Sequence, residues 1–319
     1  MRGIFLSRFS QPRVCIILCT FNGERYIEDQ ILSILKQSYK NWVLYVSDDG
    51  STDQTLDIVT KFQKRIGNDK LLIQKGPSSG HARNFLFSCK CINEFFDFYA
   101  FCDQDDIWFA DKLERSVKML KNPKIKNKDH QPKLYASTSV FIDKHGSQIG
   151  NSPCRKGPSF GHSLVECIAG GNTMFFNQAA KELLSEIPDH LKVMSHDWLL
   201  YQLVTAVDGL VVYDKLPSIY YRVHGKNTRG IKHSLEGKFR RARSFLSGEH
   251  KEEISANVEV LKFFGNRLCL KQSDLLEAFE LRKSSKLRQR IKFIFESRFN
   301  RTNAIETTIF KLGAVFFLV

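Results

Sequence analysis

Phe101-Cys102-Asp103-Gln104-Asp105-Asp106-Ile107-Trp108 places three carboxylates within four positions, directly after the apolar run 95–101. A β-strand that ends in this way cannot keep these charges in a core, because an unpaired buried carboxylate is too costly. The carboxylates are therefore expected in a crevice at the carboxyl end of the strand, where open α/β sheets bind ligands. Clustered hard oxygen ligands suit Mg²⁺ or Mn²⁺. The stretch thus predicts a divalent ion that holds a diphosphate.

A solvated turn is the alternative interpretation of this stretch. In it, Asp106 is the N-cap of a helix that begins near Phe109. For an isolated Asp-x-Asp the turn is the more common case. The remaining sequence favours the ligand site, because polar and acidic loops follow other predicted strands as well.

Two strand, loop and helix units precede the acidic stretch. Val14–Cys19 is a short apolar run typical of a buried parallel strand, and the polar loop 20–24 and a helical pattern through Leu35 follow it. Trp42–Val46 is the second strand and ends in the loop 47–53. A helix follows from Thr55, so both units match the first half of a βαβ motif.

Asp48 and Asp49 stand at the end of the second strand, before Gly50. A plain turn explains the glycine, and Ser51 or Asp53 serves as a helix cap. It does not explain two adjacent carboxylates. Either carboxylate can accept a hydrogen bond from a base or a ribose.

A third unit comprises a strand at Leu71–Gln74 and a loop at 76–84 that enters a helix at Phe85. Arg83 and the backbone N–H groups at this helix start can face an anion, and an ordinary surface arginine is an equal alternative. With the fourth strand at 95–101, the alternation predicts a doubly wound α/β sheet.

The segments after the acidic stretch are less regular. A linker at 123–133, a strand at 133–143 and a loop at 151–161 that can close over a substrate are expected. Gly170, Gly171 and Asn172 precede another predicted strand, where glycines let a ligand approach the backbone or form a bulge.

Asp197 lies in the predicted first turn of a helix, within Ser195-His196-Asp197-Trp198. A carboxylate there either favours the helix dipole or acts as a general base on an acceptor hydroxyl. Strands are predicted at 211–213 and 218–222, followed by His224, an imidazole that suits Mn²⁺. A lone histidine is more often structural. Arg222 and Lys226 can offset charge on a leaving phosphate.

The chain has 319 residues and a net charge of +14, which fits one large domain with an appendage or two small domains. Most of the excess lies in residues 222–301, with 20 Lys and Arg against 9 Asp and Glu. The eight cysteines form no metal-ligand spacing, which indicates a reduced, cytosolic compartment. No signal peptide and no apolar run of about 20 residues is expected.

The chain contains three polar stretches in this order: Thr20-Phe21-Asn22-Gly23, Asp48-Asp49-Gly50-Ser51-Thr52-Asp53 and Asp103-Gln104-Asp105-Asp106. Together they resemble the N-terminal signatures of the family 2 inverting glycosyltransferases. The sequence Asp-Gln-Asp-Asp-Ile-Trp is similar to that of the bacterial rhamnosyltransferase-like branch. The resemblance covers about residues 12–230 and implies a GT-A fold with a mixed or parallel sheet. The implied domains are a lead at 1–12, a GT-A domain at 13–230 and a basic helical region at 231–319.

The resemblance also implies the roles of particular residues. Asp197 would be the catalytic base, and Asp105, Asp103 and His224 would bind the metal. The residues implied to bind the nucleotide sugar, together with those suggested above, are Thr20, Asn22, Glu24, Asp48, Asp49, Arg83, Asp103, Gln104, Gly171, Asn172 and Arg222. The implied donor is dTDP-L-rhamnose or a UDP-sugar. The implied acceptor is a glycan, free or linked to a polyprenyl diphosphate, in O-antigen-like cell-surface polysaccharide synthesis.

The basic C-terminal region predicts a peripheral position on the inner face of the cytoplasmic membrane. Leu287, Ile291, Ile294 and Phe295 form one helical face flanked by Lys and Arg, a pattern typical of helices on anionic membranes. A face that packs on the protein is the alternative. A catalytically silent partner of a glycan-assembly complex is a second hypothesis. A nucleic-acid-binding protein is disfavoured, since the acidic clusters would repel phosphates.

Overall fold

The computed structural model describes residues 11–123, 130–155, 157–224 and 249–316. The segments 1–10, 225–248 and 317–319 lie outside it, and so does Lys226 with its predicted role on a phosphate. Most of the predicted N-terminal lead and part of the predicted linker at 123–133 also lie outside the described residues.

Four parallel strands form the first half of the sheet, in the order β3-β2-β1-β4. Helices connect them, as the sequence predicts. In chain order the elements are β1 (Val14–Thr20), α1 (Ile27–Leu35), β2 (Trp42–Asp48), α2 (Thr55–Ile66), β3 (Leu71–Lys75), α3 (His81–Cys91) and β4 (Phe98–Asp103). Every residue of β1 is buried, because the strand is central and covered on both faces.

Two predicted boundaries in this half are wrong. The third helix begins at His81 rather than at Phe85, because Gly80 turns the chain with a φ of 90° and Asn84 N already donates to Gly80 O. The fourth strand begins at Phe98, and Phe95 is 65% exposed. The loop before α3 is therefore shorter than predicted and the loop before β4 is longer, while the alternation of strands and helices is confirmed.

The second half makes the sheet mixed. Its elements are β5 (Ile107–Trp108), α4 (Lys112–Leu120), β6 (Lys133–Ile142), β7 (Gln148–Asn151), α5 (Phe160–Ser163), β8 (Phe175–Asn177), α6 (Gln178–Ser185), α7 (His196–Ala206) and β9 (Leu210–Arg222). The sheet continues from β4 through β8, β6 and β9 to β5, and β7 pairs with β6. Strand β8 is antiparallel to both β4 and β6, whereas β6 and β9 are parallel.

Two further expectations differ from this half of the structure. The predicted strands at 211–213 and 218–222 are parts of one strand, β9, whose register against β6 shifts around Thr138. Asp106 is not a helix N-cap, because Ile107 and Trp108 first pair with β9 and helix α4 begins only at Lys112.

The C-terminal helices are α8 (Glu249–Phe263), α9 (Leu270–Glu280), α10 (Leu287–Ile294) and α11 (Ala304–Val315). Their buried side chains, among them Val258, Phe293 and Phe310, belong to the same hydrophobic cluster as Leu199 of α7 and Phe101 of β4. One apolar core thus runs through the predicted domain boundary near residue 230. Within the described segments, no helix combines the length and apolar character that crossing a bilayer requires. All eight cysteines lie in the described segments, and none of them forms a disulfide bond.

Candidate active site

The carboxyl ends of β1, β2 and β4 meet at one edge of the sheet, here called the carboxyl edge. Thr20 pairs in register with Asp48, and Cys19 pairs with Asp103. Since these strands are parallel and adjacent, the three predicted polar loops lie side by side. The strand pairing therefore brings together residues that are more than 80 positions apart in the sequence.

Gln104 ties the loop after β1 to the loop after β4. Its side-chain oxygen accepts hydrogen bonds from Thr20 Oγ1 at 2.5 Å and from Phe21 N at 2.9 Å, and its Nε2 donates to Phe21 O. A Cβ atom at Gly23 would lie 2.3 Å from that oxygen, so a larger residue there would displace the Gln104 amide. Thr20 and Gln104 thus shape the loop, and their predicted contact with a nucleotide stays a prediction.

Asn22 and Glu24 join the loops after β1 and β2. Asn22 Oδ1 accepts from Thr52 N at 2.8 Å, and its φ of 47° places it in the left-handed region that asparagine tolerates. Glu24 Oε2 accepts from Gln54 N at 3.0 Å. Both side chains stabilise one wall of the crevice, and their predicted contact with the nucleotide stays a prediction.

Asp48 and Asp49 have different surroundings. Asp48 accepts from Gly50 N, Ser51 N and Ser51 Oγ, so both of its oxygens are used within its own turn. Asp49 Oδ2 accepts from Gly80 N at 2.7 Å. Its Oδ1 is buried and has no hydrogen-bond partner among the described residues. Because such an acceptor is costly when unpaired, Asp49 is the better candidate to accept from a ligand N–H.

Asp103 faces His81, a residue that the sequence analysis did not single out. His81 Nε2 lies 3.0 Å from Asp103 Oδ1. Burial alone would lower the pKa of His81, but the hydrogen bond and charge of Asp103, with the charges of Asp197 and Asp105, raise it. The sequence could have indicated His81 as a site residue, because His81 stands at the start of a helix that follows a parallel strand. Such a position lies at the carboxyl edge.

Asp105 faces His224, as the metal prediction requires. Asp105 Oδ2 and His224 Nε2 are 2.7 Å apart, and the His224 ring stacks on Tyr26 with centroids 5.1 Å apart. A carboxylate beside an imidazole is a donor set that suits Mn²⁺, and Mg²⁺ needs only one or two carboxylates beside substrate phosphates. The pair therefore fits a divalent ion. Asp103 points to His81 instead, and within the described ranges no three such side chains form a cluster.

Asp106 lies beneath the site rather than in the crevice, contrary to the expectation for all three carboxylates. It is fully buried, and it accepts from Asn172 Nδ2 and from Arg222 N. Burial and the charges of Asp105 and Asp103 raise the pKa of Asp106 well above its usual range. These hydrogen bonds offset the cost of burial and make Asp106 a structural anchor.

Lys112 completes this anchor from α4. It is fully buried, its Nζ donates to Asn172 O at 3.0 Å, and it lies 4.6 Å from the centroid of the Trp108 ring. Burial lowers the pKa of Lys112 to about 7, against the opposing influence of Cys102 and Asp106. Sequence reasoning missed its burial, because lysine is almost never fully buried unless paired. The anchor fixes the 3₁₀ turn Gly171–Thr173.

Asp197 adjoins that turn from the first turn of α7. Asp197 Oδ2 accepts from Gly171 N at 3.1 Å, and its Oδ1 accepts from Ser195 Oγ and Trp198 N. A Cβ atom on Gly171 would lie 2.6 Å from His196 Nε2, so glycine is needed for this close approach. The carboxylate is thus oriented by three donors, and the His196 ring beside it contacts the ring of His81 at 5.1 Å.

The two predicted arginines have protein partners. Arg222 is buried, donates to Asp105 O from Nε, and pairs with Asp29 at 3.0 Å. Arg83 donates from Nη2 to the carbonyl oxygens of Asp189 and Leu191, in the loop before α7. Arg222 therefore borders the Asp105 and His224 pair, whereas the contacts of Arg83 stabilise a loop. Their predicted roles on an anion stay predictions.

The chain is similar to known glycosyltransferases in sequence and in fold. A family model described as glycosyl transferase family 2 matches residues 15–184. A dTDP-rhamnosyl transferase of Shigella flexneri is 26% identical over 264 residues, which cover 79% of this chain and 88% of the relative. A glucosyltransferase of Escherichia coli, named for UDP-Glc and a GlcNAc-diphosphoundecaprenol, is 42% identical over 109 residues, 34% of this chain and 40% of the relative.

A solved structure has a similar fold. It is a mannosyltransferase from Pyrobaculum calidifontis in complex with GDP-Man and Mn²⁺. The likeness has a TM-score of 0.52 at 17% identity and covers 95% of this chain and 88% of that chain. The match extends through the C-terminal helices, beyond the residues that the family model matches.

Proposed function

This chain belongs to glycosyltransferase family 2, and from that premise we propose that it is an inverting enzyme of bacterial cell-surface polysaccharide synthesis. It moves a sugar from a nucleoside diphosphate sugar to a hydroxyl of a glycan or lipid-linked glycan acceptor. The observation that carries the proposal is the clustering of carboxylates around the start of α3. Asp49 accepts from Gly80 N, and the charges of Asp103, Asp197 and Asp105 all act on His81.

The donor is held by two groups of residues. Asp49 Oδ1 accepts a hydrogen bond from the base, since it is a buried carboxylate oxygen at the carboxyl edge that has no partner among the described residues. Asp105 and His224 would hold Mg²⁺ or Mn²⁺. When bound, the ion supplies positive charge to the diphosphate and so favours its departure. Mn²⁺ in the complex of the Pyrobaculum calidifontis enzyme with GDP-Man supports a divalent ion of this kind.

Asp197 acts on the acceptor. Its carboxylate takes the proton of an acceptor hydroxyl as the oxygen attacks the anomeric carbon of the donor sugar. The bond from that carbon to the nucleoside diphosphate breaks in the same step, so the configuration inverts. Hydrogen bonds from Gly171 N, Ser195 Oγ and Trp198 N orient the carboxylate for this role.

The donor we propose is dTDP-L-rhamnose, with a UDP-sugar as the alternative. The name of the Shigella flexneri relative supports the former, and that of the Escherichia coli relative supports the latter. Thymine and uracil present the same N–H group between two carbonyls, so Asp49 accepts from either base. The lipid diphosphate in the second name supports a polyprenyl-linked acceptor, and hence a place on the inner face of the cytoplasmic membrane.

A thermal-shift screen tests donor binding and the metal together. The purified chain is heated with Mn²⁺ and a panel of dTDP- and UDP-sugars, because a ligand that binds the folded state raises the melting temperature. We expect one donor to stabilise the protein only when the metal is present. Asp105→Asn should lose this shift, whereas the exposed-site control Asp57→Asn should retain it. An equal shift for Asp105→Asn would exclude the metal role, and no shift with any donor would contradict donor binding.

A further inference from the structure

The solvent-facing sides of α10 and α11, here called the outer face, expose a set of large apolar side chains. Their exposed fractions range from 41% for Ile291 to 81% for Phe295. From α10 and the residue after it the set includes Leu287, Ile291 and Phe295. From α11 and the residue after it the set includes Ile305, Ile309, Leu312 and Phe316. Both groups follow helical spacing, so each forms a stripe.

These stripes are distinct from the sides by which the same helices pack on the protein. Phe293 of α10 and Phe310 of α11 are buried, and their rings lie 6.3 Å apart in the main core. The two helices therefore share one core on their inner sides, and their exposed stripes face away from that core. Each helix is thus apolar on two sides, and among the described residues only the inner side packs on the protein. Large exposed apolar patches mark sites of protein or membrane interaction.

The charge around the outer face selects the kind of partner. Lys286, Arg288 and Lys292 are exposed on or beside α10, and no acidic side chain pairs with them among the described residues. The acidic residues nearby are already engaged, because Glu296 pairs with Arg298 and Glu306 pairs with Arg301. An apolar face with free cations matches a surface that is apolar inside and anionic outside, which describes an anionic lipid bilayer.

The outer face is also close to the candidate base. Phe310 packs edge-on against His250 at 6.2 Å, and His250 stacks on Trp198 at 5.7 Å. Trp198 follows Asp197 in the chain. A continuous chain of ring contacts, through α11 and His250 of α8, therefore links the outer face to the start of α7.

We propose that the outer face of α10 and α11 binds the surface of an anionic bilayer and orients the molecule with the Asp197 side toward the lipid. Leu287, Ile291 and Phe295 enter the headgroup boundary with the stripe of α11, and the three cations contact lipid phosphates. The consequence for a lipid-linked acceptor rests on the proposed function, whereas the docking itself does not.

Vesicle flotation of the full chain tests the proposal. The vesicles are phosphatidylcholine alone or phosphatidylcholine mixed with phosphatidylglycerol, at low and high salt. We expect binding to the anionic vesicles that weakens with salt. The charge variant K286Q/R288Q/K292Q should bind roughly a hundredfold more weakly, at the usual contribution of each juxtamembrane cation. The apolar variant I291Q/F295Q should bind at least about tenfold more weakly.

Matched controls separate this face from general stickiness and from misfolding. Phe95→Gln and Leu216→Gln replace apolar side chains that are 65% and 62% exposed elsewhere, and they should bind like the wild type. All of these variants should keep the wild-type melting temperature and the wild-type rate on a soluble acceptor. If the wild type itself transferred no sugar to the soluble acceptor, that result would contradict the proposed function. It would leave the docking result intact.

Three outcomes would overturn the proposal. The first is equal binding of the wild type and of both outer-face variants to anionic vesicles. The second is equal binding of the wild type to neutral and anionic vesicles. The third is a lipid-free dimer in sedimentation that I291Q/F295Q dissociates, which would make a second copy of the chain the occupant of the face.

Discussion

Asp48 and Asp49 are adjacent in the chain but differ in what their oxygens can still accept. Asp48 is satisfied by its own turn, whereas Asp49 has one buried oxygen without a partner among the described residues. We expect Asp49→Asn to weaken donor binding by roughly 10- to 100-fold, the range for a hydrogen bond to a charged group, with little change in stability. Asp48→Asn should instead lower the melting temperature. Calorimetric titration and thermal denaturation of both variants check this split, and a reversed pattern would contradict it.

Asp197 is the residue on which the transfer chemistry depends. We expect Asp197→Asn to keep donor binding, because the groups that orient its carboxylate, Gly171 N, Ser195 Oγ and Trp198 N, lie outside the loops that carry Asp49 and Asp105. The rate of transfer should fall by about 10²- to 10⁴-fold, the usual contribution of a positioned base. Donor titration and steady-state kinetics measure the two effects. The exposed Asp57→Asn serves as the control, and a transfer rate near that of the wild type would exclude the role of the base.

At the scale of elements, Glu166 ties the segment after α5 to the segment between α10 and α11. It is buried and contacts Arg155, His162 and Arg301, and it accepts from Thr302 N at 2.7 Å. Burial alone would raise the pKa of Glu166, but the hydrogen bond from His162 and the charges of Arg155 and Arg301 lower it well below 4.5. The folded state therefore binds fewer protons than the unfolded state when the pH falls toward 4.5, the ordinary pKa of glutamate.

This linkage gives a prediction with a defined sign. The stabilisation from Glu166 is complete above about pH 6 and is lost as the pH falls below the ordinary value of 4.5. Glu166→Gln should lower the free energy of unfolding by about 3–5 kcal/mol at pH 7, as expected when one partner of a buried ion pair is removed. The difference from wild type should shrink at pH 4. Urea denaturation at both pH values measures it, with the exposed Glu277→Gln as control. A difference that grows toward pH 4 would contradict the sign.

For the whole molecule, the C-terminal helices and the sheet share one core, so they are expected to unfold together. Phe310 is 2% exposed in that core, whereas Phe295 on the outer face is 81% exposed. Phe310→Ala should cost about 3–5 kcal/mol of stability in a single transition, and Phe295→Ala should change it by less than about 0.5 kcal/mol. Denaturant unfolding followed by both circular dichroism and tryptophan fluorescence checks this. Two separate transitions would indicate an independent C-terminal domain.

The same packing bears on any truncation test of membrane binding. Removing residues 281–319 would delete the outer face together with the buried Phe293, Phe299 and Phe310. A change in distribution between membrane and soluble fractions would then mix lost docking with lost folding. Substitutions confined to the outer face avoid this, because the side chains that they change are exposed and do not belong to the buried core cluster.

Much of the fold could be predicted from the sequence, because its signals are local. Apolar runs such as Val14–Cys19 and Trp42–Val46 predict buried strands. Because these strands are parallel, the polar loops after them lie together at the carboxyl edge. The mixed sheet was predicted only through the family resemblance. The boundaries of β4 and α3 were wrong because Gly80 and the pairing with β1, rather than side-chain pattern, decide where they begin.

The sequence by itself determined which loops carry the carboxylates and that Asp103, Asp105 and Asp197 belong to the candidate site. Only the tertiary structure decided that Asp106 and Lys112 lie beneath the site, that Asp49 rather than Asp48 has an acceptor left, and that α10 and α11 are apolar on two sides. The physical reason is the range of the interactions. Asp106 depends on Asn172 and Arg222, 66 and 116 positions away. Whether a side chain is buried and hydrogen-bonded depends on such distant partners, whereas the pattern of strands and loops depends on residues that are adjacent in the chain.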